Sequence, residues 1–200
     1  MAIDRNKAVE LLSQIKVKGD SQGLISAFGV LIQFLPTNFW NTFSERMLSN
    51  AGDDWAAIET QLELAGADCG YHTGWGIINS HEFKSVVGPM VQNVPEDILH
   101  GAFAVLTAWG WADAEIVSLV PGDRMVIKAH GYYEAEIRDT FIPERPVAFM
   151  LRGICRAFMD LGYGKPYPDG FGTFTCIQTK AIELGDPYGE FVVTRAGTGS

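Results

Sequence analysis

Apolar residues recur at positions 3, 8, 11, 12 and 15, a helical period that Lys18-Gly19-Asp20-Ser21 interrupts. Residues 24–35 are strongly apolar and read as a continuation of a helical first third, stopped by Pro36. Thr37 or Asn38 caps the next helix, which carries Phe39, Trp40, Phe43 and Met47 on one side. After the stop and cap in Asn50-Ala51-Gly52-Asp53, residues Trp55, Ile58, Leu62 and Ala65 continue the helical period. The stretch "GADCGYHTGWGIINSHEF", 66–83, is rich in glycine, which predicts a loop rather than a stable helix. Ser80 then caps a short helix through Val87, and Val94-Pro95-Glu96-Asp97 opens a long one to Trp109.

Beyond Gly110 the period changes to alternation. Two strands are predicted at 115–120 and 124–137, joined by the hairpin turn Pro121-Gly122-Asp123. In the second, Met125, Ile127, Ala129, Gly131, Tyr133, Ala135 and Ile137 share the apolar face. Val126, Lys128, His130, Tyr132, Glu134 and Glu136 share the other, which reads as solvated. Pro146 starts a helix with Val147, Met150, Ile154, Ala157, Phe158 and Leu161 inward. A Gly/Pro/Tyr loop at 162–170 leads to strands at 171–182 and 189–195. The predicted fold class is α+β, an antiparallel sheet of about four strands packed against helices, with a helical N-terminal extension. The predicted division is 1–80, a helical region ending in the glycine-rich loop; 81–196, the α+β domain; and 197–200, a tail.

Composition narrows the partners. With 47% apolar residues the 200-residue chain builds a real core. A net charge of −9 without a basic cluster argues against nucleic acid or an anionic membrane as the main partner. The charged, amphipathic N-terminus lacks an apolar signal region, and no run reaches the length of a membrane span. Three widely spaced cysteines, Cys69, Cys155 and Cys176, read as free thiols, so a cytoplasmic location is expected.

The stretches "LRGICRAFMDLGYG", "QTKA" and "LGDPYGEFVV", with the preceding "PEDILHGAFAVLTAWGWADAEIVSLVPGDRMVIKAHGYYEAE", resemble the 4-vinyl reductase domain family over roughly residues 85–195. The resemblance implies a small-molecule-binding domain with the fold of transport-particle and nitric-oxide-sensor ligand-binding proteins. In the sensor members of that family a zinc ion is held by four side chains. Those places fall here on Cys155, Gln178, Ala181 and Gly189, so only one of the four ligands a structural zinc needs survives. No cofactor is therefore expected, and the hairpin reads as a degenerate zinc site. A histidine on a comparable helix hydrogen-bonds a phenol hydroxyl in those relatives, and His100 is similarly placed. The glycine-rich segment with "INSHEF" also resembles, less specifically, the aminothiazoline-carboxylate hydrolase group.

Each candidate residue carries two readings. His100 orients a polar ligand group or is satisfied by backbone and water. Phe103, Trp109 and Tyr133 build a ligand pocket or simply core. Tyr71 and His72 belong to a functional 69–81 loop or to a surface turn. Cys155 and Cys176 are reactive thiols or small hydrophobes. The leading expectation is a pocket for a small, partly apolar or aromatic molecule between the helix at 95–109, the sheet and the helix at 146–161. Its ligand-binding residues are His100, Phe103, Trp109, Tyr133, Tyr71 and Cys176. The alternative is a hydrolase of a small heterocycle or C–N bond, with Cys155, His72 and Glu134 as catalytic groups. A third reading is an assembly subunit. A small molecule and a second copy of the chain, as a homodimer, are the expected partners.

Overall fold

Two antiparallel hairpins, β3 (Ala112–Val120) with β4 (Arg124–Tyr132) and β5 (Phe174–Lys180) with β6 (Gly189–Arg195), join edge to edge through β4 and β6 into one sheet in the order β3-β4-β6-β5. The predicted α+β class and four-stranded sheet are correct. The computed structural model describes residues 3–139 and 142–197; residues 198–200 of the expected tail lie outside them. Helices α6 (Glu96–Ala108) and α7 (Phe149–Tyr163) cover one face of the sheet. Phe103, Met125, Ile127, Met159, Phe174 and Phe191 are fully buried between these layers. Each such side chain contributes about 2 kcal/mol by leaving water.

The second strand ends sooner than its alternation predicts, and the reason is a bulge. Ala114 pairs with Ala129 while Asp113 pairs with Gly131, so His130 is the extra residue. The side chains beyond it change face. Tyr132 turns inward and is buried, and 133–139 leave the sheet as a 3₁₀ turn. The solvated face predicted for Glu134 is thereby corrected: its carboxyl group is buried and accepts from Met150 N–H at 2.9 Å and Leu151 N–H at 3.0 Å. It caps α7, whose own N-cap, Ala148, has no side-chain acceptor.

In the N-terminal third, α1 is Arg5–Ser13 and α2 is Thr37–Ser49, close to expectation. The apolar stretch between them is not helical. It forms a small hairpin, β1 (Ile25–Ala27) and β2 (Val30–Ile32), because both turn residues adopt positive φ, Phe28 at 52° and Gly29 at 72°. Phe28 tolerates this strained conformation because its ring is fully buried, edge-on to Trp109 at 4.9 Å.

The glycine-rich segment is the larger correction. It is helical: α3 (Trp55–Asp68) runs through a π-helical turn, Cys69–Thr73, into α4 (Gly74–Asn79). Its glycines are there for close approach, not for a turn. A Cβ on Gly66 would lie 2.5 Å from the Met150 carbonyl oxygen, and one on Gly70 would lie 2.9 Å from Ile154 Cα. In return, a Cβ on Gly153 of α7 would lie 2.2 Å from the Glu63 carbonyl oxygen. Two helices at such distances gain backbone contact that outweighs the intrinsic helix penalty of glycine, about 1 kcal/mol each. Arg152 bridges Glu59 at 2.7 Å and Glu63 at 3.1 Å along the same seam. Ser80 then caps α5 (His81–Val86), as predicted, accepting from Phe83 N–H.

Candidate functional site

A cavity of ≈ 760 Å³ lies between the N-terminal elements and the face of α6 and α7 nearest them. Ala102, Val105 and Leu106 of α6 line it, with Met150, Ile154 and Phe158 of α7. The bent α3–α4 helix supplies Leu62, Cys69, Thr73 and Ile77, and the last three follow the four-residue spacing of a helix face. Trp109, Trp111 and Tyr133 complete the interior. Leu31, Phe34, Leu35, Trp40 and Phe43 surround the mouth, and all five are exposed, Phe34 to 71%. The expected pocket is thus corrected in position. Helices α6 and α7 contribute, but no residue of β3–β6 lines it, because the space between helices and sheet is filled by the main core.

The chemistry of the lining is simple. Among the described residues, no Asp, Glu, Lys, Arg or His lines the cavity. Polar contacts come from Ser13, Gln33, Ser44, Cys69, Thr73, Tyr133 and the indoles of Trp40, Trp109 and Trp111. The Cys69 thiol faces Thr73 Oγ1 at 4.0 Å, and burial pushes its pKa up, so it remains a thiol. Tyr133 is held by its backbone: its N–H donates to Trp111 O at 3.2 Å and its carbonyl accepts from Asn41 Nδ2 at 2.9 Å. Its ring meets Trp111 edge-on at 5.7 Å. Burial, and then the neighbouring Glu134 charge, raise the phenol's pKa far above its ordinary value. The Tyr133 hydroxyl therefore stays protonated, and no other described residue hydrogen-bonds it.

The other candidates lie elsewhere. His100 is half-buried and outside the cavity; burial lowers its pKa, partly countered by Asp97 and Glu115. Phe103 lies one layer behind the wall, edge-on to Phe158 at 5.2 Å. Tyr71 is fully buried outside the cavity lining, with its hydroxyl accepting from Gly170 N–H at 3.0 Å. His72 is exposed, its Nδ1 3.0 Å from the Tyr167 hydroxyl. Cys155 is buried in the main core beside Cys176, and desolvation drives its pKa well up. Cys155, His72 and Glu134 are thus not gathered at the cavity, and neither is Cys176. Of the nine named residues, only Trp109 and Tyr133 line it. Cys69, Thr73, Met150, Ile154 and Phe158 line the cavity without being among the expected site residues, although the 69/73/77 spacing is present in the sequence.

The hairpin of the degenerate zinc site holds a polar cluster instead. Gln178 Oε1 accepts from Ala148 N–H at 3.2 Å, and Glu183 accepts from Val147 N–H at 3.0 Å and from the Tyr132 hydroxyl. A Cβ on Gly189 would lie 2.6 Å from Tyr132 Cε1, so the Tyr132 ring fills the space a side chain there would need. Among the described residues, no group of three or more His, Cys, Asp or Glu is arranged to hold a metal ion. Nor is any described helix long and apolar enough to cross a membrane.

No protein-family model and no curated protein sequence matches the chain. Solved structures of like fold include the following two. The phenol-responsive sensory domain of the transcription activator PoxR, crystallised with phenol, superposes with a TM-score of 0.70 at 10% identity, over 98% of this chain and 92% of that one. A trafficking protein particle complex subunit 3 from Naegleria fowleri, covalently bound to palmitic acid, gives a TM-score of 0.52 at 18% identity, over 80% of this chain and 95% of that one. At these identities the likeness is one of fold.

Proposed function

We propose that the chain binds a small, neutral, partly apolar or aromatic molecule in the cavity between α3–α4, α6, α7 and the N-terminal hairpin. The observation that carries this is the lining: a volume of ≈ 760 Å³, apolar walls and no charged side chain among the described residues. That volume lies within the usual range for small-molecule sites. A charged ligand would leave water there without a counter-charge, at a cost of several kcal/mol, so neutral ligands are favoured. Tyr133 offers a hydroxyl donor and Thr73 a hydroxyl able to donate or accept, enough to orient a ligand with one polar group. The two structures of like fold hold phenol and palmitic acid, apolar bodies with one polar end, which agrees in kind. The resemblance to the 4-vinyl reductase domain family supports the same reading. On it, the regions 1–80 and 81–196 act as one ligand-binding unit, since both supply walls.

The hydrolase alternative is less well supported. It needs a thiol and a proton-transfer group together, and Cys155, His72 and Glu134 all lie outside the lining. Thermal-shift titration with neutral single- and double-ring compounds, phenol, indole and 2-naphthol, tests the binding reading. Ala65→Trp, at an exposed position beside the cavity, is the control. The expected result is a concentration-dependent rise in melting temperature that this substitution abolishes. No rise with any of the three, or a rise that survives Ala65→Trp, counts against the site.

A further inference from the structure

A second cavity, of ≈ 260 Å³, lies against the opposite side of a wall made by Ile78, Ala102 and Phe158, which line both spaces. The wall is well fixed. Phe158 packs edge-on to Phe103 at 5.2 Å, and its Cε1 lies 3.2 Å from where a Cβ on Gly74 would sit. The two volumes therefore differ as sites, and they differ in charge. The second is apolar at Leu99, Leu161 and Phe158, yet it carries a cation, Lys84. Lys84 lies in the last turn of α5, with Nζ 3.4 Å from Asn79 Oδ1. The Asn79 amide is itself oriented, donating to Trp75 O at 3.0 Å. Among the described residues Lys84 has no acidic partner within ion-pair distance, although the chain's net charge is −9. The Trp75 ring, which also lines the space, is fixed flat on Tyr167, with centroids 4.7 Å apart and planes 2° off parallel.

We propose that this second cavity is a binding site in its own right for a small monocarboxylate with an aromatic or branched apolar body. The apolar part packs against Leu99, Leu161 and Phe158, beside the Trp75 ring. The carboxylate pairs with the Lys84 ammonium in a charge-assisted hydrogen bond. The space equals roughly nine waters at about 30 Å³ each, which suits a single ring with a carboxylate. The main cavity, with no cation in its lining, is not suited to such an anion.

Benzoate is the probe. Titration at pH 7, followed by calorimetry and by amide shifts in the intact chain, is expected to show binding at millimolar or lower concentration. Lys84→Ala, at an exposed position, weakens it about tenfold or more, whereas Lys84→Arg retains it. Ala65→Trp leaves it unchanged, and Lys84→Ala leaves the response to neutral rings unchanged, so this site and the main cavity can fail separately. The proposal is overturned if benzoate does not bind up to about 10 mM, if Lys84→Ala has no effect, or if Ala65→Trp abolishes binding.

Discussion

Tyr133 and Glu134 are neighbours in sequence with opposite tasks. The bulge at His130 sends Tyr133 to the cavity and Glu134 to the start of α7. Replacing Tyr133 by Phe removes only the hydroxyl. Affinity for 2-naphthol is expected to fall about tenfold, the loss of one hydrogen bond, while that for naphthalene is unchanged. Titration calorimetry checks this, and equal losses for both ligands would show that the hydroxyl does not contact them. Glu134 sets a pH dependence. Burial, outweighing its two backbone hydrogen bonds, raises its pKa to about 8, and Asp160 is raised in the same way to about 6. The folded chain therefore holds protons that the unfolded chain releases near the ordinary values of 4.5 and 3.8. Stability from these groups is whole below those values and is lost as pH rises through about 6 and about 8. In urea unfolding between pH 5 and pH 9, Glu134→Gln is expected to gain on the wild type as pH rises. A difference independent of pH would contradict the raised pKa.

The α3–α4 helix shows how one element can hide in a sequence. Its glycines at 66, 70 and 74 disfavour a helix locally, so 66–83 read as a loop. Their four-residue spacing instead marks a helix face pressed on α7, an effect of tertiary contact that local propensity cannot register. Gly153→Ala tests this, since its Cβ would meet the Glu63 carbonyl oxygen at 2.2 Å. The expected loss exceeds about 3 kcal/mol in denaturant unfolding, or leaves the protein insoluble. Gly131→Ala, with nothing within 4 Å of the added carbon, is expected to cost no more than about 1 kcal/mol. Similar effects at both positions would contradict the close helix contact. Elements whose cues were local, the Ser80 cap, the Val94-Pro95 helix start and the Pro121-Gly122-Asp123 turn, were legible. The early end of β4 was not, because a bulge leaves the residue alternation looking intact.

At the scale of the molecule, the fold was legible and the site only in part. The order of helices and hairpins led to the α+β class. Which side of α6 would be empty depends on how residues 3–49 fold back over it, and their apolar hairpin at 24–35 read as helix. Helix α6 is apolar all round because it serves two cores, one toward the sheet and one toward α1 and the β1–β2 hairpin. A helix apolar all round gives no sign of which of its residues border a cavity, so Ala102, Val105 and Leu106 are not distinguishable from Phe103 by sequence pattern. On the proposed function, a neutral apolar ligand occupies the space that Ala102, Val105 and Leu106 line. A crystal structure of the protein grown with 2-naphthol tests it most directly. Density is expected for the ring system against Trp109, Ile154 and Leu106, with its hydroxyl within hydrogen-bond distance of Tyr133 or Thr73. Density between α6 and the sheet beside His100, with the cavity left empty, would contradict it.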